Sequence, residues 1–197
     1  RLAATSAERD AALATRALPI TGTSTFPLAG ETLLSRTPRT EPTGGLPRRR
    51  DAEIFEALRE RTAGGDVSVP VLALGPAREH TARLTFVTNL LGVAGIRPEV
   101  IEVDGPDADL TAAQGAPAAI IASSAAGYSA HAEASVASLR SAGVGRVLVA
   151  GKAAELGDTT VDGEVRDGIN IVDFLAELLD LLDTLGAPGA PQAGADA

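Results

Sequence analysis

Three short stretches of this 197-residue sequence gather the residue types that could hold a ligand. The first is Gly75-Pro-Ala77-Arg-Glu79-His80 with Ala82 just beyond, the second Ser123-Ser124-Ala-Ala-Gly127-Tyr128, and the third Ala150-Gly151. Small residues at all three would let a large planar ligand lie against the backbone. The same small residues would also suit tight strand-to-helix turns, and residue types alone leave both readings open. Other chemistries are harder to assemble. No Gly-Lys-Ser/Thr follows a strand and no Gly-x-Gly-x-x-Gly opens a helix, so neither phosphate-binding turn is present. Ser123 and His131 lack the Gly-x-Ser-x-Gly elbow of a hydrolase, and His131 falls inside a predicted helix. The acidic groups Asp104, Asp107, Asp109 and Asp158, Asp162, Glu164, Asp167 lack the spacing of a calcium loop and read as solvated charges.

Composition narrows the choice further. The chain has no Cys, Met or Trp and two His, which excludes disulfides, thiolate metal sites and a histidine-rich one. A net charge of −9 and a pI near 4.7 repel phosphates and argue against nucleic acid. The basic run Arg48-Arg49-Arg50 is followed at once by acidic residues and reads as a solvated linker or a contact to an acidic protein face. No apolar run approaches the ~20 residues of a membrane span, and no signal peptide is seen, so a soluble cytoplasmic protein is expected. The absence of an initiator Met at Arg1 suggests a fragment or a processed product.

The elements that must position the three stretches can be read from periodicity. Residues 1–27 contain a helical pattern around Ser6–Arg16 and a strand-like "LPITGTSTFP" at 18–27. Residues 28–50 are rich in Pro, Gly and Thr and predict an extended linker. From 51 to 186 the pattern alternates. Asp51 is a candidate cap for a helix bearing Ile54, Phe55 and Leu58, stopped by Gly64-Gly65. Strands are predicted at 67–75, 98–103 (the more polar, hence nearer an edge), 116–124 and 145–151, with a weak fifth at Thr159–Val161. Helices are predicted over 80–94 and Ser129–Ala142, and a last one carries Val172, Leu175, Leu178, Leu179, Leu182 and Leu185 on one stripe. Repeated βα units imply a flavodoxin-like α/β fold, a five-stranded parallel sheet in the order 2-1-3-4-5. Its ligand crevice would lie at the carboxyl ends of strands 1 and 3, where the three small-residue turns fall. Residues 187–197, "APGAPQAGADA", have the composition of a disordered tail.

Laid out in this way, the chain resembles the C-terminal portion of methylmalonyl-CoA mutase small (beta) subunits. "ATRALPITGTSTFP" is similar to the last helix–strand unit of the mutase (β/α)8 barrel, "GGLPRRRDAEIFEALRERT" to the linker and leading helix, and residues 69–186 to the cobalamin-binding-type domain. The resemblance implies that Asp-x-His-x-x-Gly should follow strand 1, the His reaching cobalt, the Asp orienting it and the Gly admitting the cofactor. Aligned through Gly75, those positions hold Ala77, Glu79 and Ala82. His80 is one residue late, and shifting the frame to use it would put Arg78 and Arg83 at the Asp and Gly positions. Glu79 and His80 would also point about 100° apart on a helix. His80 therefore reads as a surface or capping residue. The turn after strand 3 keeps Ser123 and Ser124 but has Ala125 for the family Leu, and Gly-Gly after strand 4 becomes Ala150-Gly151.

The resemblance thus implies a degenerate crevice: Gly75, Ala77, Glu79, Ala82, Ser123, Ser124, Gly127, Ala150 and Gly151 remain as vestiges, with no catalytic residue and no metal ligand in this chain. It implies a heterodimer acting in propionate metabolism. In it the large (alpha) subunit binds adenosylcobalamin and isomerises methylmalonyl-CoA to succinyl-CoA, while this chain pairs with it structurally. The other reading is a stand-alone module that holds cobalamin or another small ligand by shape, without a His ligand. A lone helix–strand unit cannot close a barrel, so residues 1–50 are expected to be poorly buried.

Overall fold

Ser68–Leu74 (β1) is apolar from Val69 onward because both its faces are covered: Val69 and Val71 point into one core, Leu72 and Leu74 into the other. The computed structural model that gives this arrangement describes residues 2–28, 50–104 and 108–185. β1 pairs in parallel with Arg97–Val103 (β2) on one side and Ala118–Ala122 (β3) on the other, setting Leu72 opposite both Ile101 and Ile121. Arg146–Ala150 (β4) and Gly163–Val165 (β5) extend the sheet in parallel. The order is β2-β1-β3-β4-β5, the flavodoxin-like arrangement expected.

Each face of the sheet has its own core. Before β1, Leu2–Ala14 forms α1 and Glu53–Thr62 forms α2; α3 (Ala77–Val93) joins β1 to β2 and α5 (Ile171–Leu185) follows β5. One core brings Val87, Leu90 and Leu91 of α3 and Ile171, Leu175 and Leu178 of α5 against Val69, Val71, Ile120 and Leu148, with Phe55 and Leu58 of α2 behind them. The other is roofed by α4 (Ala125–Ser141), whose Tyr128, Ala132, Val136 and Leu139 meet Leu72, Ile121 and Val149.

Several local expectations are corrected. β5 lies at Gly163–Val165 instead of Thr159–Val161. Only Val165 of the three is buried, so this edge strand leaves no apolar run to read. Asp162 just before it anchors the turn, its carboxylate accepting from Val147 N at 2.7 Å and from Arg140 at 2.6 Å. Asp51 does not cap α2; Ala52 holds that position, and Asp51 instead pairs with Arg9 of α1. Residues 18–27 form a turn and not a strand: Ser24 Oγ accepts from Ile20 N at 2.9 Å, and the Ile20 carbonyl collects the Thr23, Ser24 and Thr25 amides. The poor burial expected for residues 1–50 holds over most of 5–28, where Leu13, Ala14 and Ser24 are the buried exceptions. Leu13 enters the same core as Phe55 and Leu175. Nearly all of the expected linker 28–50, and the expected tail 187–197, lie outside the described residues.

Candidate functional site

The crevice is built by three turns at the carboxyl ends of β1, β3 and β4, where the sheet order reverses. Gly75 leaves β1 with φ +76°, a left-handed conformation suited to glycine, and its amide donates to Val103 O at 2.9 Å. Pro76 stays extended and α3 begins at Ala77, three residues earlier than periodicity suggested. Ala77 and Ala82 face solvent, whereas Glu79 turns inward. After β3, Ser123 is fully buried and donates from Oγ to Leu74 O at 2.8 Å, tying the ends of β1 and β3 together. Ser124 caps α4 by accepting from Gly127 N at 3.0 Å, so the stretch expected as a loop is already helical by Ala125.

Gly75, Glu79, Ser123 and Gly127 are brought together, with His131 of α4 beside them. A Cβ on Gly75 would lie 3.3 Å from Glu79 Oε2 and 3.7 Å from His131 Nε2. A Cβ on Gly127 would collide with Ser123 Oγ and lie 2.6 Å from Glu79 Oε2. The space left by the two glycines is therefore taken up by this chain's own carboxylate and hydroxyl.

The third turn is filled in the same way. Arg83 of α3 donates to Ala150 O at 2.8 Å, forms an ion pair with Glu155, and sets its guanidinium 5.1 Å from the centre of the Tyr128 ring. Glu155, on the 3-10 turn Ala153–Leu156, also accepts from Lys152 N at 3.1 Å. Tyr128, the one tyrosine in the sequence, is 1% exposed and reaches Ala150 O at 2.8 Å and Ile121 O at 3.1 Å through its hydroxyl. A Cβ on Gly151 would collide with Arg83 Nη1 and stand 3.1 Å from Glu155 Oε1. Burial opposes the charge on Glu155, but Arg83 and the Lys152 amide outweigh it and hold the carboxyl below its ordinary range. Burial pushes the Tyr128 phenol up, so it stays a neutral donor.

These residues do not fit a corrin ring laid against the three turns. It would have to lift Glu79 off Gly127 and Arg83 off Gly151, leaving Glu155 without its cation. Sequence reasoning missed this cluster. Arg83 and Glu155 stand 72 positions apart, and only the sheet order brings them together.

His80 also departs from expectation. It is 5% exposed on the first turn of α3, neither at the surface nor a cap, and its Nδ1 is buried without a hydrogen-bond partner. Among the described residues no three His, Asp or Glu converge on a point that could hold a metal. Glu164, from the acidic groups, is committed to Ala153 N and Arg166. No described helix is long and apolar enough to cross a membrane.

No family model matches the chain. Among curated proteins it is 43% identical over 190 residues to the methylmalonyl-CoA mutase small subunit of Streptomyces virginiae. It is 37% identical over 191 residues to the probable methylmalonyl-CoA mutase small subunit of Mycobacterium tuberculosis. It is 32% identical over 196 residues to the methylmalonyl-CoA mutase small subunit of Propionibacterium freudenreichii subsp. shermanii. Each match takes in 91% of this chain, which spans only 30% of the relative's length. Over that 91% of its length, the chain is homologous to a stretch of methylmalonyl-CoA mutase small subunits.

Proposed function

We propose that this chain is a structural, non-catalytic part of the small subunit of an adenosylcobalamin-dependent methylmalonyl-CoA mutase. The large subunit binds the cofactor and substrate and carries the isomerisation of methylmalonyl-CoA to succinyl-CoA. The two subunits act as a cytoplasmic heterodimer. The names of the relatives support the family part of this reading. The observation that carries the non-catalytic part is the filled crevice. Arg83, Glu155 and Glu79 occupy the backbone faces that a planar cofactor would need, and no imidazole stands at the position of the family's cobalt ligand.

On this reading, Gly75, Ala77, Glu79, Ala82, Ser123, Ser124, Gly127, Ala150 and Gly151 are the outline of a cofactor site, of which Ala77 and Ala82 now face solvent and the rest serve packing and turns. The Ser123 bond to Leu74 and the Arg83–Glu155 pair hold the strand ends closed from within. Such a domain presents a rigid surface to a partner without the cost of ordering a loop on binding. The test is co-expression with a tagged large subunit from a mutase of this family. The chain is expected to co-purify with it through gel filtration in constant ratio, and to add no mutase activity when assayed alone. Elution of the two as separate species would contradict the proposal.

A further inference from the structure

Along the β5 edge of the sheet lies a cavity of about 210 Å3, lined by Arg146, Leu148, Gly163, Phe174, Glu177 and Leu181, among others. Its origin is local. β5 starts at Gly163, opposite Leu148, and the glycine contributes no side chain on the face that α5 covers. A Cβ there would press to 3.0 Å from Leu148 Cδ2, so the strand keeps a gap that alanine would fill. Leu148 is buried beneath the gap, and Phe174 and Leu181 of α5 stand half-buried beside it. Four charged side chains surround this apolar floor, and two of them are committed. Asp162 accepts from Arg140 and Val147 N, and Glu164 accepts from Arg166 and Ala153 N. Arg146 and Glu177 are exposed, and neither side chain has a hydrogen-bond or ion-pair partner among the described residues. One free cation and one free anion thus line a single apolar cavity.

We propose that this cavity binds a free α-amino acid with an aliphatic side chain. Its carboxylate pairs with Arg146, its ammonium group with Glu177, and its alkyl chain lies over Gly163 among Leu148, Phe174 and Leu181. The class follows from size and charge. A volume of about 210 Å3 falls below the ~300 Å3 at which drug-sized sites begin, and suits a molecule of amino-acid size. A simple carboxylate would meet Glu177 as a like charge, and a simple amine would meet Arg146 in the same way. An uncharged apolar molecule would cover two free charges and pair neither. A zwitterion pairs both, and only a free amino acid carries both charges on one carbon. The site is separate from the crevice: Arg146 opens β4 at its amino end, whereas the crevice lies at the carboxyl ends of the strands.

The test is isothermal titration calorimetry of this chain with L-leucine, set against three partial mimics. Isocaproate keeps the alkyl chain and the carboxylate, isopentylamine keeps the alkyl chain and the ammonium group, and glycine keeps both charges without the chain. L-leucine should bind at one site, and each mimic about tenfold or more weakly, because each lacks a charged hydrogen bond or the apolar contact. Arg146→Met and Glu177→Gln should each weaken L-leucine about tenfold or more. Both variants should keep the Tm of the unliganded chain, since neither side chain has a partner to lose. Gly163→Ala, which fills the gap over Leu148, should weaken L-leucine as well. Absence of binding by L-leucine at millimolar concentrations would overturn the proposal. So would isocaproate or isopentylamine binding as tightly as L-leucine, or L-leucine binding that Arg146→Met and Glu177→Gln leave unchanged.

Discussion

The guanidinium of Arg83 on α3 is paired with the carboxylate of Glu155 across the carboxyl end of β4, with the Tyr128 ring beneath it and the Ala150 carbonyl within 2.8 Å. Both partners are about three-quarters buried, with side chains 28% and 23% exposed. The pair sits where small residues would otherwise leave the crevice open. Replacing Arg83 with Met keeps most of the stem but leaves Glu155 without its cation. Chemical denaturation should then show a loss of about 1–3 kcal/mol. The double variant Arg83→Met with Glu155→Leu should lose less than the sum of the single losses, because the two groups share one interaction.

Acid should act on the same pair. The Glu155 carboxyl is held below its ordinary value of 4.5, so the fold favours its charged form. That contribution is fully present above the unfolded value and is lost as pH falls through the folded value. Stability measured between about pH 3 and 6 should therefore decline on the acid side, and Glu155→Gln should flatten part of that decline. An unchanged pH profile in the variant would show that the pair carries no linkage.

Gly127 tests the other half of the filling. An alanine there would collide with Ser123 Oγ and approach Glu79 Oε2 to 2.6 Å. Gly127→Ala should destabilise the fold by about 1–3 kcal/mol through overpacking, a cost that Ser123→Ala partly relieves. A neutral Gly127→Ala would mean that the crevice is open enough to admit added atoms.

His80 points the opposite way. Its buried Nδ1 has no partner, so the imidazole carries a desolvation cost with no compensating bond. His80→Leu should raise stability by about 1 kcal/mol in thermal or urea unfolding. A marked loss would show that the imidazole contributes more than packing.

How much of this could be read in advance differed from element to element. Strands with continuous apolar runs, such as Val69–Leu74 and Ala118–Ala122, were visible because both faces are buried, and with them came the sheet order. Gly163–Val165 was hidden because an edge strand with one buried residue has no pattern. The first turn of α3 was missed because Ala77 and Arg78 are exposed, and periodicity begins only where a helix meets the core. For the same reason His80 was misplaced: its buried side follows from where α3 starts. The positions in the crevice were legible as small residues. That they are filled was not, because Arg83, Tyr128 and Glu155 lie on three separate elements and meet only once the sheet is formed.

On the proposed function, the crevice is closed by the chain's own side chains and holds no cobalamin. Adenosylcobalamin mixed with the purified chain should elute apart from it on gel filtration, with a visible spectrum identical to that of the free cofactor. Retention of the cofactor with the protein, or a shifted spectrum that Arg83→Met strengthens, would contradict the claim and mark the chain as a cobalamin-binding module.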